Sequence, residues 1–258
     1  MKHTMKLIGV LALFITVVFA ITAAGCVSSD DDVSVEEIYQ KALEEYKAKN
    51  YDAAFPAFQK AAEKGHASAM NYVGLCYDYG RGVAEDKSKA LEWYLKAANA
   101  GSASGMYNAG YQYQHGEGTS VDYAKALEWY LKAANAGDAN GMNDVGYMYH
   151  QGEGTQVDYA KAFEWYRKAA VAGSSGGMNN LGYCYYKGIG VAIDYDEAFS
   201  WFLKGANAGS ATSMNWVASC YENGIGTMVD LSKAIEWAKK GMDAGSDEAK
   251  KRYERLTK

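Results

Sequence analysis

The sequence is poor in proline, cysteine and positive charge. It contains one Pro and four Cys, and 26 Lys and Arg stand against 31 Asp and Glu in 258 residues. The formal net charge of −5 argues against nucleic acid as a partner, because binding a phosphate backbone requires a basic face that displaces counterions. With 49% hydrophobic and only 22% charged residues, the composition is that of a folded protein rather than a disordered one.

Short catalytic and cofactor-binding motifs are also scarce. The chain contains no P-loop, no HExxH and no CxxC. It also has no Ser-x-x-Lys, the arrangement that activates a serine in penicillin-recognising enzymes. We therefore expect no enzymatic activity, no catalytic residue, no metal site and no cofactor.

The first 25 residues differ from the rest of the chain. Lys2, His3 and Lys6 precede an uncharged run at 7–24, and small residues lead to Cys26. This pattern is typical of a signal peptide, and Ala-Ala-Gly-Cys resembles a lipoprotein signal. We predict a signal peptide at 1–25, lipidation of Cys26, a tether at 26–33 and export to the outer face of the membrane. The alternatives are a plain signal peptide and an uncleaved anchor helix, since the apolar run is just long enough to span a bilayer.

Glycine and tyrosine are abundant, at 28 and 22 residues, and they recur at a fixed interval of 36. The segment KALEWYLKAANAG occurs at 89–101 and again at 125–137, and an edited copy follows at 161–173. A constant period of this length indicates a solenoid, in which each unit buries its apolar face against the next.

Each unit reads as two helices. Met106, Ala109, Gly110 and Tyr113 lie at i, i+3, i+4 and i+7, the stripe of an amphipathic helix. Gly110 costs about 1 kcal/mol in mid-helix relative to Ala, so we expect it to allow a neighbouring helix to approach closely. Aspartate, serine and glycine at the unit boundaries predict helix caps. The sequence predicts five repeats at 65–245, a helical hairpin at 34–64 and a capping helix at 246–258.

The pattern Gly-x-x-Tyr-x-x-Gly-x-Gly, followed by Asp-x-x-Lys-Ala-x-x-Trp-x-x-Lys-Ala-Ala-x-x-Gly, resembles the Sel1-like repeat, a relative of the tetratricopeptide repeat. The hairpin at 34–64 resembles the tetratricopeptide form more closely. The resemblance implies an all-α solenoid of helix-turn-helix units in a right-handed superhelix. It also implies an adaptor or scaffold that binds other proteins, and it implies no reaction.

Three columns of the first helix, at i, i+4 and i+7, are not explained by the core. The first two carry mainly Asn and Tyr, and the third carries Asp78, Gln114, His150, Tyr186 and Glu222. In tetratricopeptide-like solenoids this face lines the concave groove, where a carboxamide can pair with a peptide backbone and tyrosine offers contact area at small entropy cost. We predict a peptide groove formed by Asn71, Tyr107, Tyr111, Asn143, Tyr147, Asn179, Tyr183 and Asn215.

The predicted function is therefore a monomeric scaffold at the cell envelope that binds a protein or peptide of unknown identity. Copying of the repeat unit is an alternative origin of the Asn and Tyr columns, since near-identical repeats duplicate every residue. Two other functions remain open: an envelope hydrolase acting on cell-wall or β-lactam-type substrates, and a passive structural spacer.

Three cysteines share one column of the first helix, at Cys76, Cys184 and Cys220. Neighbouring helices lie about 8–10 Å apart, which is too far for an unstrained disulfide between repeats. We predict three buried free thiols, with a disulfide between Cys184 and Cys220 as the alternative.

Overall fold

A computed structural model describes residues 33–258, of which Ser34–Lys258 form one compact unit. These residues fold into thirteen α-helices and contain no strand. The predicted signal peptide, Cys26 and nearly all of the predicted tether lie outside the described residues. No helix within 33–258 is long and apolar enough to cross a membrane. The helices are α1 Val35–Lys47, α2 Tyr51–Glu63, α3 Ala67–Tyr79, α4 Lys87–Asn99, α5 Ala103–His115, α6 Tyr123–Asn135, α7 Ala139–Gln151, α8 Tyr159–Val171, α9 Ser175–Lys187, α10 Tyr195–Asn207, α11 Ala211–Asn223, α12 Leu231–Asp243 and α13 Asp247–Leu256.

Each helix packs against the next one along the chain, so the predicted all-α solenoid is confirmed. From α3 onward the odd-numbered helices are the first helices of the repeats and the even-numbered ones are the second helices. First helices also contact each other across repeats, as α3 does α5, α7 does α9 and α11 does α13, and no pair of second helices approaches as closely in the described part of the chain. The first helices therefore line the inner face of the solenoid.

Side-chain caps fix where the helices begin. The Asp122 carboxylate accepts a hydrogen bond from the backbone N–H of Lys125 at 3.0 Å, and the same arrangement precedes the other second helices of the repeats. Ser102 caps α5 in the same way, and His66 caps α3 through Nδ1. Each such cap stabilises its helix by about 1 kcal/mol. The caps predicted from the repeat boundaries are therefore confirmed.

The glycine in mid-helix seats an aromatic ring from the second helix of the same repeat. A Cβ added at Gly110 would lie 2.7 Å from the Tyr130 ring, and one at Gly146 would lie 2.7 Å from the Tyr166 ring. Both rings are fully buried. The close approach expected from the sequence is confirmed, and the partner is a tyrosine ring of the same unit.

Cys76, Cys184 and Cys220 are free and buried, as predicted, and no disulfide joins Cys184 to Cys220. Burial raises the pKa of each thiol to about 12, because a thiolate would lose its hydration inside the core. These cysteines act as small core side chains, and they are unreactive while the protein is folded.

Candidate partner-binding groove

The predicted tyrosines form a row along the inner face. Tyr111 and Tyr147 are 40% and 38% exposed, and Tyr107 and Tyr183 are partly exposed. They stand on successive first helices, α5, α7 and α9. The row therefore offers aromatic surface and phenol hydroxyls to a molecule lying across the repeats.

The predicted asparagines have a different environment, because each is engaged by the following repeat. Asn71 is only 6% exposed, and its Oδ1 accepts a hydrogen bond from Asn108 Nδ2 at 2.8 Å. Asn143 Oδ1 accepts from Asn180 Nδ2 at 2.9 Å. At the end of the solenoid, Asn215 Oδ1 accepts from Arg252 Nε at 3.0 Å. In all three cases the partner lies 37 residues further along the chain, and we call this pairing the inter-repeat latch.

The two remaining junctions carry variants of the latch. Tyr107 donates its hydroxyl to the Asp144 carboxylate, again 37 residues away. Asn179 Oδ1 accepts instead from Ser213 Oγ at 3.3 Å, because the residue 37 positions on is Trp216. The Trp216 ring stacks on Phe202 at 5.1 Å and cannot serve as that donor. The residue pair thus changes from one junction to the next while the contact is kept.

The latches limit what the asparagines can offer a peptide. Their Oδ1 atoms are already paired, and the Nδ2 groups of Asn143 and Asn179 donate to Asp144 and Asn180. The Nδ2 groups of Asn71 and Asn215 have no acceptor among the described residues. Each carboxamide has two N–H donors, so Asn143 and Asn179 keep one unassigned N–H each, while Asn71 and Asn215 keep two.

Three clefts recur at equivalent repeat positions between the tyrosines of the row. Cleft 1 has a volume of about 240 Å³, cleft 2 about 290 Å³ and cleft 3 about 160 Å³. A wider depression of about 440 Å³ continues the series towards α1. Cleft 1 is lined by Leu75, Asp78, Tyr79, Tyr94, Tyr107, Asn108, Tyr111 and Gln112, cleft 2 by Tyr107, Tyr111, Gln114, His115, Asp144 and Tyr147, and cleft 3 by Tyr147, His150, Gln151, Tyr166, Asn180 and Tyr183.

Cleft 1 contains a buried carboxylate that is fully paired. Asp78 accepts hydrogen bonds from Tyr94 Oη at 3.0 Å and from Gln112 Nε2 at 3.0 Å, and it forms an ion pair with Lys87 at 2.9 Å. Burial and the neighbouring carboxylate raise the pKa of Tyr94, so its hydroxyl stays a donor. Gln112 Oε1 is left buried with no partner in the described structure. Asp78 was not among the predicted site residues.

Cleft 2 contains a carboxylate with no cationic partner in residues 33–258. Burial raises the pKa of Asp144, against the hydrogen bonds that it accepts from Asn143 and Tyr107. In the same cleft, Gln114 accepts from Tyr130 Oη at 2.8 Å and donates to Glu153 at 2.9 Å. The sequence prediction missed Asp144 because it belongs to a column filled by Asn108 and Asn180 in other repeats. A lone acid in a neutral column was the signal that could have found it.

The capping helix α13 closes the groove at its C-terminal end. Arg252 and Arg255 both hydrogen-bond to the Glu222 carboxylate on α11, with Arg255 Nη2 at 2.6 Å. Burial would raise the pKa of Glu222, but the two arginines outweigh it and the pKa is lowered. The arginines stand in the columns of Asn108 and Tyr111, so a guanidinium group fits at a repeat junction on this face.

From the sequence we expected no G-x-S-x-G motif, and that expectation is wrong. Gly173-Ser174-Ser175-Gly176-Gly177 has the form G-x-S-x-G, which in hydrolases places a serine on a turn between a strand and a helix. Here the segment joins two helices, α8 and α9. The motif serine is Ser175, the first residue of α9, and the preceding Ser174 caps that helix by accepting from Gly177 N–H at 3.2 Å. The strand-to-helix elbow required by that mechanism is not formed. Within residues 33–258 no three metal-ligating side chains cluster.

The sequence profile of the Sel1 repeat matches most of the chain. The matched segments are residues 46–66, 67–102, 103–138, 139–174, 175–210 and 211–246. The first of these segments, 46–66, overlaps the second half of the hairpin at 34–64, which was likened to the tetratricopeptide form.

Solved structures with the same repeat are similar over most of the described fold. A Sel1 repeat protein from Oxalobacter formigenes is 33% identical, with a TM-score of 0.78 over 86% of this chain and 88% of that chain. A protective antigen of uropathogenic Escherichia coli with an SLR fold is 32% identical, with a TM-score of 0.72 over 86% of this chain and 48% of that one. An immunity protein from Pseudomonas aeruginosa, at 19% identity and a TM-score of 0.60 over 88% of this chain and 90% of that chain, shares the fold.

Among curated proteins, DAP3-binding cell death enhancer 1 from Mus musculus is 39% identical over 67 residues. That match covers 22% of this chain and 13% of the mouse protein, so it concerns a small part of either. Proteins built from Sel1 repeats are generally non-enzymatic scaffolds for protein–protein interaction. The repeat spacing, the paired helices, the profile match and the structural neighbours agree, and this chain belongs to the Sel1 repeat family.

Proposed function

We propose that this protein is a non-enzymatic scaffold that binds an extended peptide segment of a partner along its inner face. The observation that carries the proposal is the series of three clefts at equivalent repeat positions, separated by exposed tyrosines. Tyrosine gives large amphipathic contact area at low conformational cost, which suits it to a recognition surface.

The spacing of the clefts suits an extended chain. Packed helices lie about 8–10 Å apart, and an extended peptide advances about 3.3 Å per residue. One repeat therefore corresponds to about three residues of peptide. Side chains about three residues apart would enter successive clefts, with Tyr111 and Tyr147 between them.

The inter-repeat latches support binding indirectly. They hold successive first helices in one register, so the clefts exist before a partner arrives. A preformed surface lowers the ordering cost of association. The role that we propose for Asn71, Asn143, Asn179 and Asn215 is therefore to hold the groove in shape. The exposed Tyr111 and Tyr147 make the direct contact with the peptide.

The location at the cell envelope is part of the same proposal and rests on residues 1–26. A basic start, an apolar run and Ala-Ala-Gly-Cys favour export and lipidation of Cys26. Replacement of Cys26 by Ala tests this point. The variant should leave the detergent phase in a phase-partition assay, and retention there would point to an uncleaved anchor helix instead.

Two other functions compete with this proposal. An envelope hydrolase would need a nucleophile and a base within hydrogen-bond distance. The one serine motif found in the described residues joins two helices and lacks the strand-to-helix turn that exposes the nucleophile in hydrolases. A passive spacer would need no clefts and would tolerate loss of the tyrosines. Binding by a double variant therefore separates the spacer from the scaffold.

The test compares Tyr111→Ala/Tyr147→Ala with a control, Tyr123→Ala, in a chain that begins at residue 27 and so contains the whole compact unit. Tyr123 is 42% exposed, starts the second helix α6 and lines none of the three clefts. Each protein is immobilised, and proteins bound from envelope extract are identified by mass spectrometry. A partner bound by the wild type and the control but lost by the double variant supports the groove. Equal binding by all three proteins would contradict it.

A further inference from the structure

We propose that cleft 2 is a receptor for a lysine or arginine side chain of the bound peptide. This inference rests on the proposed function and adds the chemical class of one partner residue. It assigns recognition of the cation to the Asp144 carboxylate and to the rings of Tyr107, Tyr111 and Tyr147.

The shape of cleft 2 suits a long side chain. Its volume of about 290 Å³ is roughly that of ten waters, at about 30 Å³ each. Three tyrosines line it, and an ammonium or guanidinium group is attracted to the face of an aromatic ring. The aliphatic part of lysine or arginine would pack on the same rings while the charged end reaches the carboxylate.

The charge of cleft 2 is negative, and no Lys or Arg within the described structure compensates it. Asp144 accepts hydrogen bonds from Asn143 Nδ2 at 2.9 Å and from Tyr107, yet no Lys or Arg pairs with it in residues 33–258. A carboxylate has about four acceptor positions, so unused positions remain. The neighbouring Glu153 adds a second negative charge and is held by Gln114. His115 is the one side chain of the lining that can become cationic; its ring centroid lies 4.2 Å from that of Tyr111, at a tilted angle, and its charge acts to lower the pKa of Asp144.

The neighbouring clefts lack this combination. In cleft 1 the equivalent of Asp144 is Asn108, and the acid present, Asp78, is already paired with Lys87. In cleft 3 the equivalent is Asn180, and no carboxylate lines the cleft. A cationic side chain would therefore select cleft 2 and so set the register of the peptide along the groove.

The chain itself contains a precedent for a cation in this position. Arg252 on α13 occupies the position equivalent to Asp144. It binds Asn215 and the Glu222 carboxylate on α11. A guanidinium group thus fits between the first helices of the groove when an acid faces it. In cleft 2 Asp144 supplies the acid, and a basic side chain of the peptide would supply the cation.

The test uses a library of random linear peptides displayed on phage, selected against the chain from residue 27 onward. The variant Asp144→Asn places in cleft 2 the residue that clefts 1 and 3 already have. The control is Asp196→Asn, the same change at an exposed position in the first turn of α10. The wild type and the control should select peptides with Lys or Arg at one fixed position. Asp144→Asn should still select peptides but lose that preference.

A selected peptide then measures the contact directly. Replacing its basic residue by norleucine should weaken binding to the wild type by about tenfold or more, because a hydrogen bond to a charged group is lost. The same replacement should change binding to Asp144→Asn by less than about twofold, measured by fluorescence anisotropy. Asp144→Asn should melt at or above the wild-type temperature, which excludes misfolding as the cause.

The contrary outcomes are distinguishable. Peptides selected without a basic residue, or with the same basic preference in Asp144→Asn, would overturn the assignment of cleft 2 and leave the groove standing. A library that yields no peptide for the wild type would overturn the proposed function and this inference together.

Discussion

Replacing Gly146 by alanine should destabilise the protein, although alanine favours helix formation. Propensity alone would stabilise the helix by about 1 kcal/mol. The new Cβ, however, would lie 2.7 and 2.8 Å from two atoms of the Tyr166 ring and 3.2 Å from the Ala162 carbonyl oxygen. Tyr166 is buried, and overpacking of this kind costs about 1–3 kcal/mol. After the propensity gain is subtracted, we expect a net loss of up to about 2 kcal/mol.

The matched control is Gly176→Ala in α9. A Cβ there would meet nothing closer than 3.7 Å, so only the propensity gain remains. Unfolding in urea, followed by circular dichroism, should give a lower midpoint for Gly146→Ala and an equal or higher midpoint for Gly176→Ala. In a domain of this size 1 kcal/mol corresponds to about 2–4 °C in melting temperature, which is easily resolved.

The effects of substitutions at Gly146 and Tyr166 should be coupled. Tyr166→Leu removes the ring, so adding Gly146→Ala to it should cost much less than Gly146→Ala does in the wild type. If Gly146→Ala stabilises the protein as Gly176→Ala does, the steric account of the glycine column is refuted. If the two substitutions at 146 and 166 are simply additive, Tyr166 is not the residue that requires the glycine.

Three further predictions concern stability and reactivity. Asp144→Asn should raise the free energy of unfolding at pH 7. Burial raises the pKa of Asp144, so the folded state holds this proton more tightly than the unfolded chain does. The advantage of Asn over Asp, measured by urea unfolding, should therefore shrink as the pH falls below that pKa. Cys184 has a pKa of about 12, so it should not react with a thiol reagent at pH 8 in the native protein but should react fully in urea; fast native labelling would contradict its burial. Asn143→Ala removes the acceptor of Asn180 and should lower the free energy of unfolding by about 1–3 kcal/mol. Asn135→Ala, at an exposed position of α6, should change the urea midpoint little. Equal effects of the two substitutions would argue against the latch.

Much of the fold could be predicted because the repeat period exposes it. Gly, Asp and Tyr recur at intervals of 36 residues, and these positions indicate where each helix begins, where it ends and which face is buried. The mid-helix glycine was recognised as a packing position from its cost alone. Its aromatic partner, in a different column of the same unit, could be named only from the structure.

The groove was less predictable. Alignment of the repeats compares residues at equivalent positions, whereas the contacts between repeats join residues at different positions. The asparagines at 71 and 143 looked like unexplained polar residues within their own column. Their partners stand in the next column of the next repeat, 37 positions away, and that offset is visible only when two repeats are packed. Asp144 was overlooked for the same reason, since its meaning depends on Tyr107 in the preceding unit.

The inter-repeat latch also implies that the units are not interchangeable parts, although their second helices are nearly identical in sequence. Each unit supplies one residue to the latch with the preceding unit and one to the latch with the following unit. Every junction therefore fits one particular neighbour. If α13 were grafted behind the second unit, Arg252 would face Tyr107 and Gln114 in place of Asn215 and Glu222, and it would lose its carboxylate. A shuffled chain would keep the composition and the period and still assemble poorly, because the order of the units is itself encoded.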